Sequence, residues 1–285
     1  MRRVRSASAV LGLLVLGTAS GGMAGEPVAW YVSAGAGANW ASDAKQSGRN
    51  RDTTCYPDHD CNHLPGGTPS GYRWRYDLDF GPGTAIEVAV GVRFDDIRLE
   101  LSASQRKNGA NQESPGISYL DGTAIKSAGN GIKSNPGVSV GDLTTRTLSI
   151  NAYYDFPAIA HRVTPYLGAG LGLSFVEVSN LRYRSNYTDA QGSSNPSLQS
   201  FNGRQDADLS DTALAKHLYA GADYGLSDKT LLGLKLAYTH VGSVEGRDTY
   251  LEHKVDGLTS ITKISSTERW SVMITLKYLF TPGPL

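Results

Sequence analysis

Beyond residue 28 the chain shows no apolar stripe at helical spacing. Apolar and polar residues alternate with period two, as strands with two unlike faces do. In the first run Trp30, Val32, Ala34, Ala36, Ala38 and Trp40 alternate with Tyr31, Ser33, Gly35, Gly37 and Asn39. The second sets Ile86, Val88, Val90, Val92 and Phe94 against Glu87, Ala89, Gly91 and Arg93. After a turn at Asp95 and Asp96, Ile97, Leu99, Leu101 and Ala103 alternate with Arg98, Glu100, Ser102 and Ser104. Five further runs repeat the pattern near 148–156, 166–175, 217–224, 232–239 and 270–280.

Eight runs predict eight strands, and the connections between them alternate in length. Short ones lie near 95, 157–162 and 225–228, and long polar ones at 41–82, 108–142, 176–212 and 241–267. Short turns at one end and long loops at the other predict an all-β, eight-stranded antiparallel up-and-down transmembrane barrel with long extracellular loops. A soluble domain does not normally carry four structureless loops of this length. Trp74, Tyr76, Leu78 and Phe80 continue the even phase of the second strand, so that strand is expected to project past the bilayer.

Trp30 and Trp40 share a face ten residues apart, as do Trp270 and Phe280. At ~3.3 Å per residue and a tilt of ~40°, ten residues span about 25 Å of membrane normal, the height of the apolar band in such barrels. Trp30, Trp40, Phe94, Phe156, Tyr224, Trp270, Tyr278 and Phe280 are therefore expected to form its aromatic girdles. The competing soluble barrel would turn this apolar face inward around a ligand, with aromatics ringing both ends of the interior and the Gly-rich face of the fifth strand in water.

Composition alone points elsewhere. The 285 residues carry 27 basic and 27 acidic groups, are 40% apolar and have a mean hydropathy of −0.29, which looks soluble. No segment approaches the ~20 apolar residues of a spanning helix. No basic excess exists for nucleic acid. Arg2, Arg3 and Arg5, the apolar run 9–17 and small residues at Gly22 and Ala24 have the layout of a secretory signal peptide over 1–24, leaving 25–285 as the barrel. Its removal takes three arginines and no acid, so the exported chain carries a charge of −3.

Placed in a lumen, the polar face brings Arg93, Arg98, Lys235 and Lys277 against Glu87, Glu100, Asp155 and Asp223. An eight-stranded barrel is only wide enough for side chains to fill, so these charges should pair. Glycines at 35, 37, 168, 170 and 172 should leave room for long side chains reaching across. A plugged lumen is the expectation, and a small porin-like channel the alternative.

The segments Trp30-Tyr31-Val32-Ser33, Arg98-Leu99-Glu100-Leu101, Tyr153-Tyr154-Asp155-Phe156 and Thr164-Pro165-Tyr166-Leu167-Gly168-Ala169-Gly170-Leu171-Gly172 resemble the Opa-like, OmpA-like surface-antigen family of Gram-negative outer membranes, often called the porin family. The resemblance runs through the strands and not the loops. It implies an eight-stranded barrel with roles in adhesion, immune recognition or envelope integrity, and no shared catalytic residues. Members usually stop at a terminal aromatic, whereas here residues 281–285 follow Phe280.

Candidate chemistry is sparse. Cys55 and Cys61, six apart in an exported chain, suggest a loop disulfide; interleaving with His59 and His63 also admits zinc, at a spacing no standard finger uses. A rim hydrolase is the second function class. His217 and Asp223 share the lumen face but lie ~20 Å apart along the strand, and His240 has no carboxylate fixed by sequence. No catalytic, cofactor or metal residue is assigned. Loop residues Arg49, Arg51, Tyr56, Trp74, Tyr183, Arg184 and Tyr187 have the composition of a binding surface. The expected partners are outer-membrane lipid, lipopolysaccharide and host or surface ligands met through the loops, with the chain a monomer.

Overall fold

The computed structural model describes residues 28–159 and 162–280. The expected signal peptide and the tail after Phe280 lie outside these residues. Among the described residues there are twelve strands: β1 (Ala29–Ala41), β2 (Ala44–Asn50), β3 (Tyr72–Phe94), β4 (Ile97–Tyr119), β5 (Lys133–Ser139), β6 (Asp142–Asp155), β7 (Val163–Thr188), β8 (Gly203–Gly225), β9 (Thr230–Val241), β10 (Val244–Thr249), β11 (Thr259–Ile264) and β12 (Thr267–Phe280).

Eight of them close a ring. Antiparallel pairing runs β1-β12-β9-β8-β7-β6-β4-β3 and returns to β1, with Trp30 opposite Phe280 on one side and Val92 on the other. Closure leaves the spanning region no edge, so backbone N–H and C=O groups are paired without help from water. Hairpins are tight at one end; Asp95 takes φ +49° in the two-residue turn joining β3 to β4.

The faces divide as the alternation requires. Ile150 is 69% exposed, while its neighbour Asn151 is 1% exposed. The outer face carries a continuous band of Ile, Leu and Val from every barrel strand. Such a surface is incompatible with water at this area and marks the lipid belt. Seven of the eight residues expected as girdles are exposed on it, Trp30 being partly covered.

The four long connections depart from expectation. Most of their length is not loop: β3 starts at Tyr72, β4 runs to Tyr119, β7 to Thr188, and β8 starts at Gly203. The short strands also continue upward after breaks of two residues. β2 follows β1, β10 follows β9, and β5 and β11 lead into β6 and β12. The continuations keep their partners: β2 pairs β3 and β11, β11 pairs β10, and β5 pairs β7. The barrel thus has a second storey, a collar, separated from the spanning storey by a waist.

At the waist the strands change phase. Buried positions are odd in β1 (Tyr31, Asn39) and even in β2 (Ala44, Gln46, Asn50). They are odd in β9 (Lys235, Ala237, Thr239, Val241), whereas β10 buries Val244. In β3 a register shift between Phe80 and Gly83 does the same, so Leu78 is fully buried inside the collar rather than continuing the lipid-facing phase. One extra residue in a strand exchanges its faces. That is why the upper half of β3, read as an extension of the even outer phase, in fact points inward.

Inside the spanning storey, tyrosines lie over glycines on the neighbouring strand. A Cβ at Gly91 would strike Tyr31, one at Gly168 Tyr153, and one at Gly221 Tyr166, all well inside contact. The absent side chains let the rings cross the narrow lumen and reach its charges. Gly221→Leu should therefore destabilise the barrel by about 1–3 kcal/mol through overpacking. Folded protein should run at a different mobility from boiled protein on SDS gels, and the variant should lose that difference at a lower temperature. Equal mobility of boiled and unboiled wild type would contradict the closed barrel.

Candidate functional site

The lumen is filled in tiers. Nearest the tight turns, Arg98 bridges Asp155 at 2.8 Å and Asp223 at 3.2 Å, while Lys277 Nζ lies 2.5 Å from Asp223 Oδ2. Arg93 sits at the rim, 3.7 Å from Asp155 and partly exposed. Above them Lys235 reaches Glu87 at 2.6 Å and Glu100 at 3.6 Å. Tyr31 and Tyr153 donate to the Glu100 carboxylate, and Asn151 adds a third bond. The eight charges expected in the lumen thus form two clusters, one of them built on Arg98 and the other on Lys235.

Two further lumen arginines were not anticipated. Arg106 and Arg269 lie beneath the waist among Ser and Thr hydroxyls. Their sequence signal is phase: each extends the polar face of a recognised run by one step, Arg106 beyond Ser104 and Arg269 before Ser271. His217 shares this height, bonding Thr239 at 2.9 Å and stacking on Tyr219, so it and Asp223 serve different partners. His240 stands opposite Glu268 across β9 and β12, with its neighbour Val241 on the buried face.

The waist itself is apolar. Leu78, Leu143, Val176, Val178, Leu181, Leu209, Val241, Val244 and Ile264 form one buried cluster across the barrel. They pack above the arginines, beside the buried Asn39–Asn108 amide pair, and Leu181 and Leu209 among them line the space over them.

That space is a cavity of about 450 Å³ inside the collar. Tyr56, Tyr72, Trp74, Tyr76, Tyr183, Tyr187, Phe201 and Tyr250 wall it, with Asp52, Asp58, His59 and His253 among them. Its volume lies in the range of small-molecule pockets, and between the aromatics the lining is polar, with Gln46, Arg182, Gln205, Arg247 and Asp248 among it. Tyr56 stacks on Tyr187 with centroids 5.7 Å apart and planes 6° from parallel. The Tyr56 hydroxyl donates to Asp52 Oδ2 at 2.8 Å and lies 2.9 Å from His253 Nε2. Tyr72 donates to the Thr54 carbonyl at 2.7 Å and sits 3.3 Å from His59 Nδ1. The expected loop residues Tyr56, Trp74, Tyr183 and Tyr187 thus meet here, while Arg49, Arg51 and Arg184 do not line the cavity. Tyr76 arrives as part of the upward continuation of the second strand, whereas Tyr72, Phe201 and Tyr250 carry no alternating pattern that would single them out.

A lid covers the cavity. Cys55 and Cys61 are joined in a disulfide, with Cα atoms 6.2 Å apart, which leaves no thiolate for zinc. Cys61, Leu64, Tyr72 and Tyr119 form a small core beneath it. The segment pairs with another loop through the bridge between His59 and Ser127. Among the described residues no group of His, Cys, Asp or Glu is arranged to hold a metal ion.

Burial dominates the titration of these collar groups. It pushes the Tyr56, Tyr72, Tyr187 and Tyr250 hydroxyls up, so they remain neutral donors. It holds His59 and His253 below 6.5, against the pull of Asp58 and Asp52 respectively.

A family model for the outer membrane protein beta-barrel domain matches residues 7–259. The chain belongs to this family. An outer-membrane β-barrel protein therefore sits in the bacterial outer membrane with its apolar belt in lipid. Among solved structures the chain is similar to neisserial surface protein A, with 15% identity, 88% of this chain and 97% of that one covered and a TM-score of 0.43. It is also similar to OprG from Pseudomonas aeruginosa, with 13% identity, coverage of 89% and 96% and a TM-score of 0.45. For the outer membrane protease OmpT from Escherichia coli the identity is 12%, the coverage 91% and 99% and the TM-score 0.43. No curated protein sequence matches the chain.

Two outcomes follow from these geometries. Lys235→Met strands Glu87 and Glu100 in the lumen and should cost about 3–5 kcal/mol, seen as a lower thermal midpoint; adding Glu87→Gln should restore part of it. In the collar, both histidines bind protons more weakly folded than unfolded, so their share of stability is full above 6.5 and lost as pH falls below it. Hydrogen-exchange protection in segments 51–71 and 250–258, corrected for the intrinsic pH dependence of exchange, should therefore fall between about pH 7.5 and about pH 5. Replacing both histidines with Gln should flatten that dependence.

Proposed function

We propose that this protein is a non-conducting surface barrel that displays a binding collar to the outside of the cell, an adhesin-like or surface-antigen role rather than a transport one. The apolar waist carries the reading. A channel needs a continuous polar or hydrated path, and an apolar constriction sheds water even where its radius would admit it. Here that constriction sits above a lumen whose carboxylates are all ion-paired.

The collar supports the binding half of the proposal. A rigid β wall holds tyrosine faces and hydroxyls around one cavity, and a disulfide-closed lid tops it. Rigid aromatics with hydrogen-bonding edges give contact area at low entropic cost. Short turns at the opposite end support a collar outside the cell, since outer-membrane barrels generally keep their short turns periplasmic. Lipid around the belt and lipopolysaccharide around the collar base are then the immediate neighbours, and the lid and chamber face free ligands. A ring that closes without a second copy supports a monomeric state.

Planar-bilayer recording tests the closed lumen. Purified refolded protein should give no stable current steps, and reproducible unitary steps would overturn the reading in favour of a small channel.

A further inference from the structure

The two arginines beneath the waist are not explained by the lumen's ion pairs. Arg106 and Arg269 are each 1% exposed. Thr145 lies opposite Arg106 in the β4–β6 register, and Arg269 Nη1 donates to its hydroxyl. In return, Arg106 Nε donates at 3.1 Å to Ser271 Oγ, two residues along from Arg269. Each side chain crosses to the other's side of the lumen, so the two guanidiniums meet at one height. Their remaining bonded donors end on Ser104 and Thr267, hydroxyls and not carboxylates.

Arg106 Nη2, Arg269 Nε and His217 Nε2 are buried with no hydrogen-bond partner. The lumen carboxylates are engaged lower down, by Arg98, Lys235 and Lys277. The waist shuts off water from the collar side. An arginine cannot shed its charge to escape such a setting. Two like charges without a counter-charge are costly in a low-dielectric interior.

We propose that this tier is a binding site for a small inorganic anion of the halide class. The ion sits between the guanidiniums, accepts from Arg106 Nη2 and Arg269 Nε, and takes a further bond from His217 in its Nε2–H tautomer. The surrounding hydroxyls can turn their protons toward it. The site is distinct from the collar cavity, from which the apolar cluster separates it, and it holds whether or not the collar binds a ligand.

The test uses the full chain folded in detergent. The thermal midpoint of the transition that abolishes its folded gel mobility is measured in sodium chloride, sodium bromide and sodium gluconate at equal ionic strength. Chloride and bromide should raise the midpoint over gluconate by roughly 5 °C, in a saturable way. That difference should vanish in Arg106→Gln and in Arg269→Gln. Equal wild-type midpoints in the three salts overturn the proposal, as does a halide effect that survives in both variants. Bromide-soaked crystals of the wild type give a reading independent of how the variants fold. An anomalous peak between the two guanidiniums is expected, and its absence overturns the site.

Discussion

Every other feature of this chain depends on the pairing of Ala29–Ala41 with Thr267–Phe280, which joins the first barrel strand to the last. In hydrocarbon an unpaired backbone group has no water to turn to, so a sheet survives there only without edges. Once the ring is closed with eight strands, its interior is too narrow for anything but side chains. The inward residues must then satisfy one another. Glycines at 91, 168 and 221 and tyrosines at 31, 153 and 166 are the local solution, ring over missing side chain; Tyr31 and Tyr153 bring hydroxyls to the Glu100 carboxylate, and the Tyr166 ring lies against Arg98 and Lys277.

The vertical order of chemistry in the barrel follows from the same confinement. Ion pairs occupy the end near the tight turns, hydroxyls and two lone guanidiniums the middle, aliphatic side chains the waist, and tyrosines the collar. Each tier excludes the solvent that the next would otherwise share. The charges are therefore poorly screened, which strengthens matched pairs and penalises unmatched ones alike.

The spanning storey was legible in the sequence because one face meets lipid and the other does not. Ile150 and Asn151 differ in exposure as sharply as they differ in polarity. The ruler from Trp30 to Trp40 and the charges at Arg98 and Lys235 follow from that contrast. The collar was not legible, for two physical reasons. Its outer face meets water, so residues such as Lys45 and Arg49 alternate with Gln46 and Asn50 and no apolar phase appears. The waist also shifts phase in several strands, so a pattern followed upward from the membrane, as through Leu78, assigns the wrong face. The cavity went with it, because Tyr72, Phe201 and Tyr250 come from three separate stretches that only the collar's pairing assembles.

The waist has a consequence for how such a protein can change over generations. Two-residue breaks at 42–43, 140–141, 242–243 and 265–266 let the chain restart with a new phase and register. An insertion or exchange above them is absorbed at the joint and is not transmitted to the strands in lipid. The barrel can thus keep a constant foundation while the exposed storey is rewritten, so a surface under selection for novelty is insulated from the demands of membrane insertion.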